Sequence, residues 1–396
     1  MPPVAKLTPL LLTVALVMLG GCGGGGNSDE ASSPSGLPDE IVIGAAIAKT
    51  GYMSPYDNAI VALEQLVKET NARGGIDGHK LRVIQVDTHS EPQQAVVAVQ
   101  KVIEEGADVL FFTGEALTAA AGSPVAEEHD KLNFSILQEP GFGPPTSGHL
   151  SFSSNPSLLG EVSAAASFLY DKGYRKPFLF RDTAIIYGKA ACSGFQQTWE
   201  ELGGTIADSV DFENTDPAIS SQISKLKSSD ADSVIMCSYP PGGAAAIKQI
   251  RAAGVSLPIY GPTSFDGLYW LKGIPNTEDI YFTSNGSPYD PPNKSTEKLF
   301  AQLEEDGIDT DIGTNLLAWY AGGQMIIHSI EETHSVSGSV LADALEAKPQ
   351  NTILGEVTYS ADDHYPLRTW PIYVFSNGKP KLVAKVKPQF IPQYGE

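Results

Sequence analysis

Short apolar runs alternate with stretches of helical periodicity along most of the chain. Apolar runs such as Ile41–Ala48 are separated by segments in which apolar residues recur at helical spacing, as Ala95, Val99 and Val102 do. An uninterrupted apolar run of this length is typical of a parallel strand covered on both faces, and its regular alternation with helices is the pattern of βαβ units. From Asp39 onward the sequence therefore predicts an α/β fold.

This alternation occurs twice. A first series of strands and helices ends near Leu137, and the loop Glu139–Gly148, rich in proline, glycine and serine, separates it from a second series that runs from Phe178 to Tyr260. Beyond Tyr281 the pattern is mainly helical and forms no complete series. We predict two Rossmann-like, doubly wound lobes, with the later helices packed on a lobe that is already formed.

The N-terminal residues indicate where the protein works. The apolar run Leu10–Leu19 is too short for a membrane-spanning helix and has the length of a signal-peptide core. It leads into Leu-Gly-Gly-Cys at 19–22, which resembles the lipobox of bacterial lipoproteins. We predict a lipoprotein signal peptide over 1–21, lipidation of Cys22 and a flexible tether over 22–38, so that the mature protein is extracytoplasmic and anchored to the bacterial membrane. A chance cysteine after an ordinary cleavable signal is the alternative.

The charge balance argues against one class of partner. The chain has 26 lysines and arginines against 47 aspartates and glutamates, a formal net charge of −21. Binding to a phosphate backbone needs clustered cations. We therefore expect no nucleic-acid partner.

No motif predicts catalysis, a metal site or a cofactor. The sequence has no Gly-x-x-x-x-Gly-Lys-Ser/Thr, Gly-x-Ser-x-Gly or His-Glu-x-x-His match, and its seven histidines show no zinc-ligand spacing. The Gly-x-Gly-x-x-Gly match at 21–26 lies in the predicted tether, with no strand before it or helix after it. We expect neither an enzyme nor a bound cofactor or metal.

Two cysteines remain after Cys22. Cys192 falls on a predicted helix and Cys237 at the end of a predicted strand. An even pair in an oxidising compartment permits a disulfide, but the sequence does not show whether the two residues are close enough. A disulfide and two buried free thiols both stay open.

Several segments together resemble those of one family. They are Thr50-Gly51 after the first strand, the sequence Asn-Ala-Arg-Gly-Gly-Ile-Asp-Gly at 71–78, Pro124–Glu128, Tyr187-Gly188 and Ile259–Pro262. In order and spacing they resemble type I periplasmic binding proteins of the leucine/isoleucine/valine-binding group, the extracytoplasmic receptors of ABC importers. The resemblance covers about residues 39–385.

This resemblance implies two lobes joined by a three-strand hinge, each lobe built from two stretches of chain. The expected stretches are 39–150 and 287–355 for lobe one, 157–282 and 361–396 for lobe two, and crossovers near 151–156, 283–286 and 356–360. It also implies a monomer that closes on a small-molecule ligand, an amino acid or an amide- or amine-type solute, and docks on an ABC permease. A ligand-sensing regulatory module of the same fold and a secreted α/β enzyme are the alternatives.

The loops that follow the strands supply the candidate ligand-binding residues, because the carboxyl ends of parallel strands meet at one cleft. The turn before a predicted helix at Thr118 offers N–H groups and a hydroxyl to an anionic ligand group, although Thr118 could instead serve as a plain N-cap. The resemblance assigns Tyr187 to the ligand-facing side of lobe two and Tyr56 to a lid in lobe one, where the neighbouring Tyr52 could take its place. Tyr239, at the end of a strand, is a further candidate. Core packing with a satisfied hydroxyl is the alternative for Tyr187 and Tyr239.

Acidic residues depart from the family pattern. Amino-acid binders of the group present a carboxylate after the Gly-Pro pair, where this chain has Thr263, so Asp266 is the candidate for that role. Glu115 stands in the anion-binding turn, and Glu139 follows Gln138 on the same side of the cleft. Two acids there would repel a ligand carboxylate unless they point away or pair with a cation. A ligand with amine, amide or hydroxyl groups therefore rivals a branched-chain amino acid, and a surface position for Glu115 stays open.

Overall fold

The computed structural model describes residues 36–313 and 315–394, and the predicted signal peptide, Cys22 and most of the tether lie outside these ranges. The strands are β1 (Glu40–Ile47), β2 (Lys80–Asp87), β3 (Val109–Phe112), β4 (Asn133–Ser135), β5 (Ser151–Ser153), β6 (Pro177–Asp182), β7 (Asp208–Phe212), β8 (Ser233–Cys237), β9 (Ile259–Gly261), β10 (Ile280–Thr283), β11 (Gln350–Thr352), β12 (Gly355–Ser360), β13 (Asp363–Leu367), β14 (Trp370–Ser376) and β15 (Lys379–Val386). The α-helices are α1 (Ser54–Asp57), α2 (Val61–Ala72), α3 (Pro92–Glu104), α4 (Ala116–Glu128), α5 (Leu158–Asp171), α6 (Ile186–Glu201), α7 (Ser220–Ser228), α8 (Gly242–Ala252), α9 (Lys294–Glu305), α10 (Asn315–Thr333) and α11 (Gly338–Ala347). Short 3-10 helices lie at Asn58–Ile60, Thr263–Phe265 and Thr310–Ile312.

Two sheets with helices on both faces form two lobes. The first sheet is parallel throughout, in the order β2-β1-β3-β4-β5. The second has the order β15-β14-β10-β9-β8-β6-β7, in which β14 and β15 are antiparallel to their neighbours and the rest are parallel. The interior strand β1 is buried from Ile41 to Ile47, as its apolar run predicts for a sheet covered on both faces. The predicted α/β fold with two doubly wound lobes is confirmed.

The C-terminal part of the chain returns to both lobes. Helices α9, α10 and α11 pack on the first sheet, where the ring of Trp319 lies 4.4 Å from that of Phe111. A small antiparallel sheet, β11-β12-β13, covers the same lobe through the buried residues Val357 and Tyr359. Strands β14 and β15 complete the second sheet. Among the described residues, no helix is both long enough and apolar enough to cross a bilayer.

The third crossover differs from its expected place at 356–360. Those residues form most of β12, and the hydroxyl of Tyr359 donates to the carbonyl of Ser153 at 2.7 Å, which holds the strand on the first lobe. The chain passes to the second sheet only between β13 and β14, at 368–369. Residues 361–367 therefore lie with the first lobe, because they supply the third strand of the small sheet.

Buried polar side chains join the three crossovers. Asn155 lies between β5 and α5, Asn285 follows β10, and Arg368 follows β13. The Arg368 guanidinium donates to Asn285 Oδ1, and Asn285 Nδ2 donates to Asn155 Oδ1 at 2.9 Å. Burial lowers the pKa of Arg368 to about 9, which the nearby Glu161 carboxylate opposes.

Glu161 on α5 is the carboxylate that balances this arginine. It is fully buried and accepts hydrogen bonds from Gln138 Nε2 at 2.8 Å, the Thr263 N–H at 2.6 Å and the Thr283 hydroxyl. Burial raises the pKa of its carboxyl. Because Gln138 follows β4 of the first sheet while Thr263 and Thr283 belong to the second lobe, Glu161 ties the two lobes together at the hinge.

A disulfide joins Cys192 and Cys237, with their Cα atoms 5.4 Å apart. It links the buried face of α6 to the end of β8, and both cysteines belong to the apolar cluster beneath that helix. Of the two states that the sequence leaves open, the structure has the bonded one.

Replacing Glu161 by alanine should lower the free energy of unfolding by about 3 kcal/mol or more, because the buried Thr263 N–H and Thr283 hydroxyl lose their acceptor and Arg368 loses the nearby negative charge. Urea unfolding followed by circular dichroism measures this. Glu201→Ala, at the exposed end of α6, is the matched control and should change stability by less than about 0.5 kcal/mol. A loss in Glu161→Ala no larger than the control's would contradict the role assigned to Glu161.

Replacing both Cys192 and Cys237 by alanine should lower the free energy of unfolding by about 2–4 kcal/mol, because the bridge closes a long loop, with a sequence separation of 45, in the unfolded chain. Unfolding of the variant and of the reduced wild type should agree. Equal stability of the wild type with and without reductant, with its thiols shown to be free under both conditions, would contradict the bridge.

Candidate functional site

A cavity of about 710 Å³, counted to its open mouth, lies between the lobes where the carboxyl ends of the strands meet. Its lining comes from both lobes: Tyr52, Met53, Tyr56, Gly114, Glu115, Ile136, Gln138, Glu139, Gly313 and Asn315 from the first, and Ile185, Tyr187, Tyr239, Thr263, Ser264, Asp266 and Tyr269 from the second. Seven of the eight predicted ligand residues line this cavity. Thr118 is the exception.

Glu115 caps the helix that follows β3. Its extended backbone places the carboxylate over the start of α4, where it accepts the N–H of Leu117 at 3.0 Å and the N–H and hydroxyl of Thr118 at 2.9 and 2.6 Å. The structure therefore differs from the expectation that Thr118 offers its hydroxyl to a ligand, because Glu115 already accepts it. Glu115 is 8% exposed, so it is not a surface residue.

Asp57 supports the turn behind Glu115. It is fully buried at the end of α1 and accepts the N–H groups of Ala48 at 2.8 Å and Gly114 at 3.1 Å, together with the Thr113 hydroxyl. Burial raises the pKa of its carboxyl to about 7. These bonds fix the ends of β1 and β3 against each other. Asp57 was missed from the sequence, although an acid directly after Tyr56 in a buried helical pattern is a usable signal.

Glu139 and Gln138 follow β4, and their side chains differ in the hydrogen bonds that they make. The Gln138 amide lines the cavity but donates to Glu161. Glu139 is 7% exposed, and its carboxylate accepts a long 3.3 Å hydrogen bond from the Gln138 N–H and a further one from its own backbone N–H. Burial raises the pKa of Glu139 to about 7, and the negative charge of Glu115 raises it further. This carboxyl therefore changes its charge near neutral pH.

Five tyrosines surround the cavity. The rings of Tyr187 and Tyr239 are perpendicular, with centroids 6.5 Å apart. Tyr56 from the first lobe and Tyr269 from the second are hydrogen-bonded to each other through their side chains. Tyr52 and Tyr269 lie at the mouth, 51% and 47% exposed. Tyr269 was missed because it stands in a loop beyond β9, away from the strand end itself.

Asp266 is the acid that the second lobe contributes. It follows the 3-10 helix at 263–265 and is 5% exposed. Its Oδ1 accepts the Gly267 N–H at 2.7 Å, and its Oδ2 accepts a long bond of 3.4 Å from Ser284. The preceding Thr263 also lines the cavity, with its N–H held by Glu161.

The lining carries negative charge from both lobes. Its ionisable side chains, apart from the tyrosines, are Glu115, Glu139 and Asp266, and none of the lining residues is a lysine, arginine or histidine. The cavity therefore offers acceptors and aromatic faces, and it favours groups that donate hydrogen bonds or carry positive charge.

Known proteins share this architecture. The profile of the periplasmic binding protein family matches residues 40–379. Leu/Ile/Val-binding protein homolog 3 of Brucella melitensis is 24% identical over 349 residues, which cover 86% of this chain and 92% of that protein.

Two solved structures show the same fold. The branched-chain amino acid binding protein LivJ of Streptococcus pneumoniae, in complex with isoleucine, has a TM-score of 0.78 at 21% identity and covers 88% of this chain and 100% of that one. A solute-binding protein of an ABC transporter from R. palustris, in complex with benzoate, has a TM-score of 0.76 at 20% identity and covers 88% of this chain and 97% of that one.

The family match settles which class of protein this is. It spans most of the chain, and the family consists of solute-binding proteins of ABC transporters, so the expectation of a protein that is not an enzyme is confirmed. The resemblance drawn from the sequence is confirmed as well. The chain belongs to the periplasmic binding protein family and has the type I fold of its Leu/Ile/Val-binding members.

Proposed function

We propose that this protein is the extracytoplasmic solute-binding receptor of an ABC importer and that it binds an amino acid or a related small polar solute between its lobes. The observation that carries the proposal is the cavity itself, which tyrosines and carboxylates line from both sides. The relatives support a solute-binding role, since they are named for binding branched-chain amino acids or were solved with isoleucine or benzoate.

Ligand binding would be coupled to closure of the lobes. A solute that touches Tyr56 and Glu139 on one lobe and Tyr239 and Asp266 on the other makes all its contacts only when the lobes are together. Such a ligand favours the closed state by its difference in affinity for the two states. The closed form would then be the one that docks on the permease.

The experiment that tests this function is a thermal-shift screen of the full chain against amino acids, amides, amines and small sugars. A solute that binds only the folded state raises the apparent melting temperature by mass action. We expect at least one class to do so in a concentration-dependent way. If no solute shifts the melting temperature at millimolar concentration, the receptor function is wrong.

Asp266→Ala should weaken binding of the solute found in that screen about tenfold or more, because a buried charge-assisted hydrogen bond contributes about 1.5–3 kcal/mol. Thr263→Ala should cost less, since it removes a neutral partner. Calorimetry measures both, with Asp362→Ala at an exposed turn of the first lobe as the control. Wild-type affinity in Asp266→Ala, together with lost binding in Glu139→Ala, would place the ligand's donor group on the first lobe.

Cys22→Ser should release the protein from the membrane fraction and abolish lipid labelling, because the serine has no thiol to carry the diacylglycerol. Fractionation of cells that express the full chain measures this. Gly24→Ser, two residues downstream in the tether, is the matched control and should stay in the membrane fraction. Unchanged fractionation of Cys22→Ser would overturn the lipid anchor.

A further inference from the structure

The N-terminus of α4 already holds a carboxylate. A helix start with free N–H groups attracts an anion, and this one opens toward the cavity beside Gly114. Here the N–H groups of Leu117 and Thr118, and the Thr118 hydroxyl, are all within 3.0 Å of the oxygens of Glu115. A ligand carboxylate that approached this helix would find these three donors taken and would meet the Glu115 carboxylate.

The rest of the cavity lining offers neutral hydroxyl donors but no cationic side chain to replace those N–H groups. Glu139 and Asp266 add two further carboxyls, and the lining contains no lysine, arginine or histidine. The amide of Gln138, which could donate to an anion, is bound to Glu161. A carboxylate in this space would therefore be desolvated next to like charges, while a cation would be paired on both lobes.

A buried polar group of the lining points independently to a ligand. The Tyr187 side chain is only 8% exposed, and among the described residues no well-aligned hydrogen bond satisfies its hydroxyl, which interacts with the neighbouring Ser264 side chain. A buried hydroxyl without a partner is costly and is normally satisfied by protein, water or ligand. An ammonium group carries donors only, so it can bond both this oxygen and the carboxylates, while the faces of Tyr187 and Tyr239 attract its charge.

We infer that Glu115 takes the place of a ligand carboxylate and that the cavity selects a small organic cation without a carboxyl group of its own. This inference rests on the proposed receptor function and narrows its ligand to one chemical class. Glu115 acts as a built-in counter-charge, Glu139 and Asp266 pair with the cation, and the tyrosines enclose it.

The first test compares matched probes by calorimetry on the full chain. The pairs are benzylamine against benzoate, in which an amine replaces the carboxylate, and leucinamide against leucine, in which an amide replaces the carboxylate and the amine is kept. We expect each amine without a carboxylate to bind at least about a hundredfold more tightly than its partner, a difference of about 2.7 kcal/mol. The wild type should show no binding of benzoate or leucine at micromolar concentration.

The other outcomes separate this inference from the receptor function. If benzoate or leucine binds as tightly as its amine partner, the inference is wrong while the receptor function stands. If neither amine binds at millimolar concentration, the inference is also wrong. The receptor function falls with it only if the wider solute screen gives no shift in melting temperature either.

A variant that removes the built-in carboxylate gives the reciprocal test. Glu115→Ser keeps a residue that caps helices well, so α4 should still form, but it frees donors at the helix start. We expect benzoate to gain affinity by about tenfold or more and benzylamine to lose a similar factor. Glu128→Ser, at the exposed last residue of α4, is the matched control and should bind like the wild type. If Glu115→Ser keeps its melting temperature and neither affinity changes, the inference is overturned.

The pH dependence distinguishes the two ligand charges by its sign. The pKa of Glu139 is raised to about 7, so this carboxyl ionises as the pH rises through neutrality. Affinity for benzylamine, which keeps its charge in this range, should rise by up to about tenfold from about pH 6 to pH 8, whereas affinity for an anion should fall. Glu139→Gln should flatten this slope.

Other titratable groups around Glu139 could also contribute to the pH dependence of the affinity for benzylamine. Those that interact with its charge are Glu115, Tyr52, Tyr187, Tyr239 and Tyr365, and Asp57 lies behind Glu115 with a pKa that burial also raises to about 7. Burial raises the pKa of each tyrosine, so all four stay neutral throughout the range. Asp57 is left to titrate in Glu139→Gln and gives a smaller slope of the same sign. A falling affinity for benzylamine with rising pH would overturn the inference.

Discussion

The two-lobe arrangement depends on the buried carboxylate of Glu161 at the hinge. It accepts hydrogen bonds from Gln138 of the first lobe and from Thr263 and Thr283 of the second, and a buried carboxylate is costly unless such partners surround it. The Arg368 guanidinium is near enough to feel its charge and donates to Asn285, which donates in turn to Asn155, so polar groups of all three crossovers meet beside it. Because Gln138 and Thr263 also line the cavity, the same carboxylate fixes part of the cavity lining.

A second carboxylate, that of Glu115, also accepts backbone N–H groups, at the start of α4. Glu115 accepts the N–H groups of Leu117 and Thr118, and Glu161 accepts the N–H of Thr263, so these backbone donors beside the cleft are already bonded. The groups left to face the cavity are then mostly acceptors and aromatic rings. The acidic character of the cavity therefore follows from how the chain satisfies its own backbone, and it does not require an unusual fold.

The sequence predicted the features that depend on periodicity and missed those that depend on single contacts. Strands and helices of both lobes follow from apolar spacing, and strand-end loops such as those at Glu139 and Tyr239 converge because parallel sheets have one carboxyl edge. The third crossover was misplaced because β12 and β13 are short strands of a separate antiparallel sheet, whose pairing is not visible in local pattern. The bond from the Thr118 hydroxyl to Glu115 could not be predicted, because it depends on the backbone geometry of one turn and leaves no mark on the spacing of apolar residues.

Capping by Glu115 also determines which contacts could supply the binding free energy for the proposed closure of the lobes. If a ligand carboxylate completed α4, part of the binding energy would satisfy a helix end that is incomplete in the empty protein. With Glu115 in place, the start of the helix is capped whether or not a solute is bound.

Only interactions that differ between the open and closed states can shift the equilibrium between those two states. For this chain those are the contacts that span the lobes, such as Tyr56 with Tyr269, and the groups of Tyr187 and Asp266 that a solute would engage from the second lobe. If the lobes close on a solute as proposed, affinity and closure depend on the same few side chains, while the fold that carries them is shared with proteins solved with isoleucine or benzoate.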